Sequence, residues 1–410
     1  MSPTRAAIET VWRLEAPRLI GALARVVRDL SRAEDLAQDA LVAALEQWPR
    51  DGVPRNPGAW LMAAARHRAV DGLRREQLVE RTHADLAPTA LEQAPEPEDG
   101  GDDTLRLMFI ACHPVLSREA RVALTLRLVA GLGTDELARA FLAEEATIAQ
   151  RLVRAKRTLA EARVPFELPA GAALVERLPS VLEVLYLVFN EGYAASRGDD
   201  LLRPELCAEA MRLGRMLAAR LPDQAEVHGL VALMELQASR FRARVDASGE
   251  PVLLADQRRA LWDYALIRHG LSALARAEAL GGPLGPYTLQ AAIAACHARA
   301  PSVERTDWTR IVALYDALLA LTDSPIVALN RLVAVARVDG AAPALAQLTE
   351  LAREPALEGF HLVPAVEGDL LLTLGRHAEA SRAFHRAATL ATNARERALL
   401  LRRAANAARS

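Results

Sequence analysis

Apolar residues recur every three to four positions along most of this chain, the spacing of amphipathic α-helices. The first clear helix begins with a capping-box pattern, Ser31 followed by Glu34. Its predicted apolar stripe comprises Leu36, Ala40, Leu41, Ala44, Leu45 and Trp48. A second helix is predicted from Asn56-Pro57, because asparagine is a good cap and proline suits the first helical turn.

A second block of helical periodicity begins at Leu105. Ser117 is predicted to cap a helix that continues to about Val129, and Thr134 to cap a short helix, TDELARAF. After a turn, a third helix is predicted from about Ala146 to Ala162. A helix, a short turn and a second helix make the helix-turn-helix arrangement, in which the last helix contacts the DNA bases.

The last of these helices has two chemically different faces. Its predicted buried face comprises Ile148, Leu152, Ala155 and Leu159. Its predicted outer face comprises Thr147, Gln150, Arg151, Arg154 and Thr158. Arginine and amide side chains opposite an apolar stripe suit entry into the major groove, and Lys156 and Arg157 can reach flanking phosphates. The alternative is a surface helix of an ordinary bundle.

Between the two helical blocks, the segment from Leu86 to Asp103 is rich in Pro, Gly and acidic residues. Such a segment buries too little apolar surface to fold alone, so it is predicted to be a flexible acidic linker. Its acidic residues are Glu92, Glu96, Glu98, Asp99, Asp102 and Asp103. They could mimic RNA in a basic channel, or the segment could be a plain spacer.

Composition favours an all-α protein, because Ala, Leu, Arg and Glu dominate and aromatic residues make up 4%. The net charge of -2 excludes a wholly basic nucleic-acid coat protein, so nucleic-acid binding requires local patches. The three cysteines have no zinc-site spacing, and a reducing cytoplasm fits them. Neither a signal sequence nor a membrane span is apparent, and no catalytic or nucleotide-binding motif appears. The chain is therefore expected to be a cytoplasmic non-enzyme without metal or cofactor.

The stretches AEDLAQDALVAALEQW and NPGAWLMAAARHRAVDGLRRE resemble region 2 of the extracytoplasmic-function sigma factors, in the sigma-70 family. The resemblance implies that the first helix binds the β′ clamp helices of core RNA polymerase. Its candidate contacts are Asp35, Asp39 and Glu46. The second helix would recognise and open the promoter's minus-ten element, with Trp60 in the supporting core. Its candidate contacts are Arg66, His67, Asp71, Arg74 and Arg75. From each helix alone, a solvated charged face remains the alternative.

The stretch LTLRLVAGLGTDELARAFLAEEATIAQRLVRAKRTL resembles sigma region 4, which in that family reads the minus-thirty-five element and contacts the polymerase β flap. The resemblance assigns that reading to Thr147, Gln150, Arg151, Arg154, Lys156 and Arg157. It also implies that the acidic linker threads the RNA exit path of the polymerase.

Near the C-terminal end, GDLLLTLGRHAEASRAFHRAATL has the spacing of a tetratricopeptide repeat. Its pattern residues are Gly368, Leu371, Gly375, Ala380, Phe384 and Ala387. A weaker copy lies around Gly340, and the series predicts a helical-repeat domain. The expected organisation is region 2 over 1–80, linker over 81–104, region 4 over 105–165 and helical repeats over 170–410.

One motif gathers Tyr186, Phe189, Asn190, Glu191 and Tyr193. It could be a packed aromatic turn or an intramolecular contact with the sigma regions. This motif and the terminal repeat resemble a sigma subgroup whose C-terminal extension regulates activity. The expected function is therefore a sigma factor that binds core polymerase and promoter DNA. The rivals are a helix-turn-helix regulator acting without polymerase and a repeat-protein adaptor.

Overall fold

The computed structural model describes residues 3–79, 102–141, 143–193, 202–246 and 249–409. Every regular element in these ranges is a helix, so the all-α prediction is confirmed. The chain divides into two compact units, Met1–Leu185 and Tyr186–Ser410. The predicted linker acids Glu92, Glu96, Glu98 and Asp99 lie outside the described residues.

The first unit is built from helices that follow the predicted order. They are α1 (Pro3–Val27), α2 (Leu30–Asp51), α3 (Pro57–Val79), α4 (Asp102–Ala111), α5 (Arg118–Leu128), α6 (Thr134–Phe141), α7 (Glu145–Glu161) and α8 (Ala172–Tyr193), which contains the unit boundary. Two predicted caps are confirmed: Asn56 accepts the backbone N–H of Ala59 at 3.1 Å, and Ser117 that of Ala120 at 3.3 Å. Each satisfies a donor that the first helical turn leaves unpaired.

Helix α2 starts earlier than the capping-box pattern predicts. Asp29, not Ser31, is the cap, and its carboxylate accepts the backbone N–H of Arg32 at 2.8 Å. The predicted apolar stripe is also partly wrong, because Leu45 is 40% exposed. Small residues, among them Ala37 and Ala43, fill the buried seam instead, so the larger leucine is left at its edge.

Helix α6 is likewise capped differently from the prediction. Thr134 is its first helical residue, and the preceding Gly133 donates its backbone N–H to the Glu136 carboxylate at 2.7 Å. The Glu136 side chain thus satisfies the backbone N–H just before the helix, which is the role of the acidic residue in a capping box.

The last acidic residue of the predicted linker is part of the folded core. Asp103 is 1% exposed, lies in α4 and pairs through its carboxylate with Arg106. A Cβ atom at Gly21 of α1 would lie 2.3 Å from the Asp103 carbonyl oxygen. Only glycine allows α1 and α4 to approach this closely. The prediction that Asp103 supplies charge to a flexible linker is therefore wrong.

The beginning of α8 packs against the helices that precede it within the first unit. The Ser180 hydroxyl donates to the Cys112 carbonyl oxygen at 2.5 Å, and Arg121 pairs with Glu183 at 3.0 Å. Arg177 donates to the Phe109 carbonyl oxygen. Residues up to Leu185 are consequently part of the same compact unit as α4 and α5.

The second unit continues as a series of helices in which neighbours in the chain pack on one another. They are α9 (Pro204–Arg220), α10 (Ala225–Ala238), α11 (Phe241–Arg244), α12 (Tyr264–Ala279), α13 (Pro286–Arg299), α14 (Trp308–Thr322), α15 (Pro325–Val338), α16 (Ala341–Leu351), α17 (Leu362–Thr373), α18 (His377–Leu390) and α19 (Ala394–Ala407). The described helices include none that is long and apolar enough to cross a membrane.

The terminal repeat pattern corresponds to a close pair of helices, α17 and α18. Phe384 is fully buried, and a Cβ atom at Gly368 would lie 2.6 Å from its ring. Ala380 and Ala387 are also fully buried in the same core cluster. The small and large positions of the pattern therefore have the packing roles that the spacing predicts, whereas assignment to the tetratricopeptide class stays a prediction.

Candidate nucleic-acid interface

Helix α7 has the two faces that the sequence predicts. Its buried residues are Ile148, Leu152, Ala155 and Leu159. Thr147, Gln150 and Arg154 are exposed, and Arg151 is half-buried. The apolar face packs on α5 and α6, the two preceding helices of the predicted helix-turn-helix arrangement. The opposite face is thus held in position by the core while its polar groups remain accessible.

The exposed face of α7 forms one wall of a groove of about 370 Å³. From α7 the groove is lined by Thr147, Gln150, Arg151, Arg154, Ala155 and Thr158. Its other wall comes from the start of α5, including the cap Ser117 and the nearby Ala120. Four of the six residues predicted to read DNA therefore lie together in one groove. Arginine and amide groups there can donate to phosphates and to base edges.

The two remaining predicted residues of α7 lie beside this groove in ion pairs. Arg157 is 77% exposed and pairs with Glu161 at 2.7 Å, one turn along the same helix. Lys156 is only 17% exposed, and its Nζ lies 2.9 Å from Glu34 Oε2 of α2. Contact between Lys156 and a phosphate would therefore compete with this pair.

Glu34, Arg127 and Lys156, which we call the Glu34 cluster, join α2 to α5 and α7. Besides Lys156, the Glu34 carboxylate accepts from Arg127 Nε at 3.0 Å, and Glu34 is 8% exposed. Two cations on one poorly solvated carboxylate form a charge-assisted network that depends on that single anion. The cluster links the predicted region 2 helices to the predicted region 4 helices within the first unit.

Replacing Glu34 with glutamine is expected to lower the free energy of unfolding of the first unit by about 1–3 kcal/mol. The change keeps the size of the side chain but leaves two partly buried cations without an anion. Denaturant unfolding measures the effect. The matched control is Glu161→Gln, whose pair with Arg157 is exposed on both sides and is expected to contribute less than about 1 kcal/mol. If both substitutions lowered the free energy of unfolding equally, the stabilising role assigned to the Glu34 cluster would be contradicted.

The two helices predicted to contact polymerase and the minus-ten element pack through a tryptophan pair. Trp48 of α2 and Trp60 of α3 meet edge to face with ring centroids 5.3 Å apart. Half-buried Trp60 fits the supporting role that the resemblance gives it. Across the same helices, Asp39 Oδ1 lies 3.3 Å from Arg68 Nη1. Asp39 is therefore engaged within the protein, and a polymerase contact would have to share it.

The other predicted residues of these helices are partly described. Asp35 and Glu46 are exposed on α2, and His67 is exposed on α3, where Arg66 is half-buried. The side chains of Asp71, Arg74 and Arg75 lie outside the described residues, although their helix is described. The polymerase and minus-ten assignments stay predictions.

The aromatic motif is helical and not a turn, because α8 continues to Tyr193. Phe189 and Tyr193 stack with ring centroids 5.7 Å apart, and the Arg244 guanidinium lies 3.7 Å from the centre of the Tyr193 ring. Glu191 pairs with Arg203 at 2.7 Å. The motif is therefore built into the second unit, as the packed-core alternative predicts. Its suggested contact with the sigma regions stays a prediction.

Within the described ranges, no cluster of histidine, cysteine or acidic residues is arranged to hold a metal ion. The three cysteines are buried and unbridged. Burial raises the pKa of the Cys112 thiol to about 12, although Thr125 hydrogen-bonds to it and lowers the pKa in part. These thiols are core residues of the helices, with little tendency to react at neutral pH.

Two family models match the chain. Residues 11–79 match Sigma-70 region 2, and residues 177–278 match a family of unknown function, DUF6596. The first match covers most of α1 and all of α2 and α3. The second begins inside α8 and ends inside α12, so it includes the aromatic motif.

Three curated relatives extend these matches. Uncharacterized protein R00370 of Rhizobium meliloti (strain 1021) is 45% identical over 94% of this chain and 92% of its own length. RNA polymerase sigma factor CarQ of Myxococcus xanthus is 32% identical over 32% of this chain and 74% of its own length. ECF RNA polymerase sigma factor SigC of Mycobacterium tuberculosis (strain CDC 1551 / Oshkosh) is 26% identical over 38% of this chain and 78% of its own length. No solved structure matches the chain.

Proposed function

The chain belongs to the RNA polymerase sigma factors, and from that premise we propose that it is an initiation factor of the extracytoplasmic-function type. It binds core RNA polymerase in the cytoplasm and directs it to a particular class of promoters. The match to sigma region 2 supports the polymerase-binding role, and the similarity to a relative named as an ECF sigma factor supports the type.

The groove beside α7 is the observation that carries the promoter-reading part of the proposal. A helix of 17 residues is about 25 Å long, and an α-helix fits the major groove, which is about 12 Å wide. Gln150 and Arg154 are suited to paired hydrogen bonds with adenine and guanine. Thr147, Arg151 and Thr158 extend the same polar surface along the helix.

The exposed acidic residues of α2 support a polymerase contact. Asp35 and Glu46 are accessible, so a basic surface can approach them at little desolvation cost. Asp39 pairs with Arg68, so a substitution of Asp39 would disturb this ion pair as well as the proposed polymerase contact.

Co-purification with core polymerase tests this function and separates it from its rivals. We expect the full chain to elute with core polymerase, and Asp35→Arg with Glu46→Arg to weaken binding by about tenfold or more through like-charge repulsion. The matched control is Glu354→Arg with Glu358→Arg, at two exposed positions of the second unit. Salt-sensitive binding to promoter DNA without any binding to polymerase would instead identify a free-standing helix-turn-helix regulator. A chain that binds neither polymerase nor promoter DNA would instead be a repeat-protein adaptor.

We also propose that the second unit regulates the first. The relative from Rhizobium meliloti aligns along 94% of this chain, so the sigma and extension segments occur together in another protein. This co-occurrence supports a common task without defining whether the extension activates or inhibits.

Run-off transcription with a shortened chain tests this regulation. The shortened chain should end after Leu185, because a chain ending near Arg163 also removes the Ser180 and Glu183 contacts with α4 and α5. We expect output from the chain ending at Leu185 to differ from that of the full chain at equal polymerase occupancy. Equal output from the two chains would contradict regulation by the second unit.

A further inference from the structure

The second unit contains a cavity of about 320 Å³ that the sigma function does not use. Its lining comes from the end of α8 and from α10, α13, α14 and α15, together with Arg240, just before α11, and Leu254. The aromatic motif supplies one wall through Tyr186, Phe189, Asn190 and Tyr193. Cavities of this size are at the lower end of the range that holds small-molecule ligands.

One positive charge faces this cavity. Of the described residues that line it, Arg240 is the only lysine or arginine, and none is an aspartate or glutamate. The Arg240 guanidinium donates to the Tyr193 hydroxyl oxygen at 2.8 Å and to the Gln237 side-chain oxygen. Both acceptors are neutral, so these bonds orient the guanidinium without neutralising it. A guanidinium has five N–H donors in a planar fork that suits a carboxylate or a phosphate.

Burial and nearby positive charge both act on the histidine in the cavity wall. Burial, followed by the charges of Arg240 and Arg259, lowers the pKa of His297 to about 4. Its imidazole is therefore neutral at physiological pH and packs edge to face on Trp308, with ring centroids 5.3 Å apart. An anion placed in the cavity would be attracted to the same two arginines that repel a proton from His297.

The remaining lining suits a small apolar body with few polar substituents. Tyr186, Ile293 and Leu318 provide aromatic and aliphatic surface. Gln290 is fixed by accepting the Tyr186 hydroxyl at 3.0 Å and by donating to the Pro286 carbonyl oxygen at 3.1 Å. Asn190 and Asn330 add neutral hydrogen-bonding groups. Such a mixture of apolar walls and a few fixed polar groups is typical of ligand sites.

We propose that this cavity binds a small organic anion, a carboxylate or phosphate ester on a small apolar body, whose anionic group is held by Arg240. The site makes the second unit a receptor for a metabolite. The inference rests on the cavity alone and stands independently of how the chain acts on polymerase.

Calorimetric titration of the full chain with three probes of similar shape tests the proposal. The probes are 4-hydroxybenzoate, phenyl phosphate and the neutral 4-hydroxybenzamide. For ligands this small we expect dissociation constants in the millimolar range for at least one anion, and binding of the amide weaker by about tenfold or more. Comparison of the first two probes distinguishes a carboxylate ligand from a phosphate ligand.

Two variants locate the binding. Arg240→Gln removes the charge and is expected to weaken anion binding by about tenfold or more. Arg242→Gln removes an equal charge at an exposed position of the neighbouring α11 and is expected to leave it unchanged. The pKa of His297 in the unaltered chain gives a second test, which does not depend on whether the Arg240→Gln variant folds. Bound phenyl phosphate, which keeps a negative charge at the pH where His297 titrates, should raise the pKa of His297 in an NMR titration, because a nearby negative charge favours the imidazolium.

The proposal is overturned if neither anion binds at up to about 10 mM, or if the amide binds as tightly as the anions. It is also overturned if bound phenyl phosphate leaves the pKa of His297 unchanged, or if a folded Arg240→Gln variant binds like the unaltered chain.

Discussion

Replacement of Arg154 with alanine is expected to lower promoter-specific run-off transcription by about 5- to 150-fold. Arg154 is exposed in the middle of the α7 groove, where its guanidinium can pair with a guanine edge. A good bidentate contact contributes about 1–3 kcal/mol of discrimination, and the expected loss of transcription follows from that free energy. The measurement is run-off transcription with purified core polymerase at a promoter that depends on the full chain.

The control for this prediction is Arg353→Ala, which removes a 72% exposed arginine from the second unit. It should leave transcription unchanged. Because Arg154 is exposed, its loss should also leave the thermal midpoint of unfolding nearly unchanged, so lower output cannot be attributed to misfolding. If the Arg154→Ala variant transcribed every promoter that depends on the chain at the wild-type level, α7 would not be the helix that reads the promoter.

Replacement of Phe384 with alanine is expected to lower the stability of the α17–α18 helix pair by about 3–5 kcal/mol. The ring is fully buried, touches Gly368 and lies 4.3 Å from the Arg403 guanidinium carbon. Its removal leaves a cavity that helices packed this closely cannot easily fill. Hydrogen exchange of the amides in 362–390 measures the local loss without assuming that both units unfold together.

Leu390→Ala is the matched control, since Leu390 ends the same helix and is 41% exposed. We expect it to cost less than about 1 kcal/mol, because about two fifths of Leu390 is already exposed to water and its truncation opens no closed cavity. Similar exchange rates in the two variants would show that Phe384 does not hold the helix pair together.

Helix positions and faces could be predicted well where local signals agree. The four buried positions of α7 follow directly from spacing, and the caps at Asn56 and Ser117 follow from side chains that bond to the nearest backbone donors. In these cases each residue and its partner are a few positions apart, so the sequence contains the whole interaction.

The predictions were wrong where a distant partner decides the role of a residue. Glu34 matched a capping box, but Arg127 and Lys156 occupy its carboxylate from 93 and 122 positions away. Asp103 matched an acidic linker, but its helix packs against Gly21. Spacing along the chain gives no information on such contacts.

The cavity beside the aromatic motif could not be predicted for the same reason. Tyr186, Arg240, His297 and Asn330 are brought together only when helices far apart in the sequence pack on one another. The motif could be noticed for its aromatic residues in an aromatic-poor chain, although its partners could not.

As a sigma factor, this chain is expected to make core polymerase open promoter DNA at specific sites. Permanganate, which reacts with unpaired thymines, measures this opening in a mixture of core polymerase, the full chain and promoter DNA. In the control reactions, each of the three components is omitted in turn. We predict reactive thymines around the start site only when all three are present. If the chain bound polymerase but made no thymine reactive, promoter opening by this chain would be contradicted.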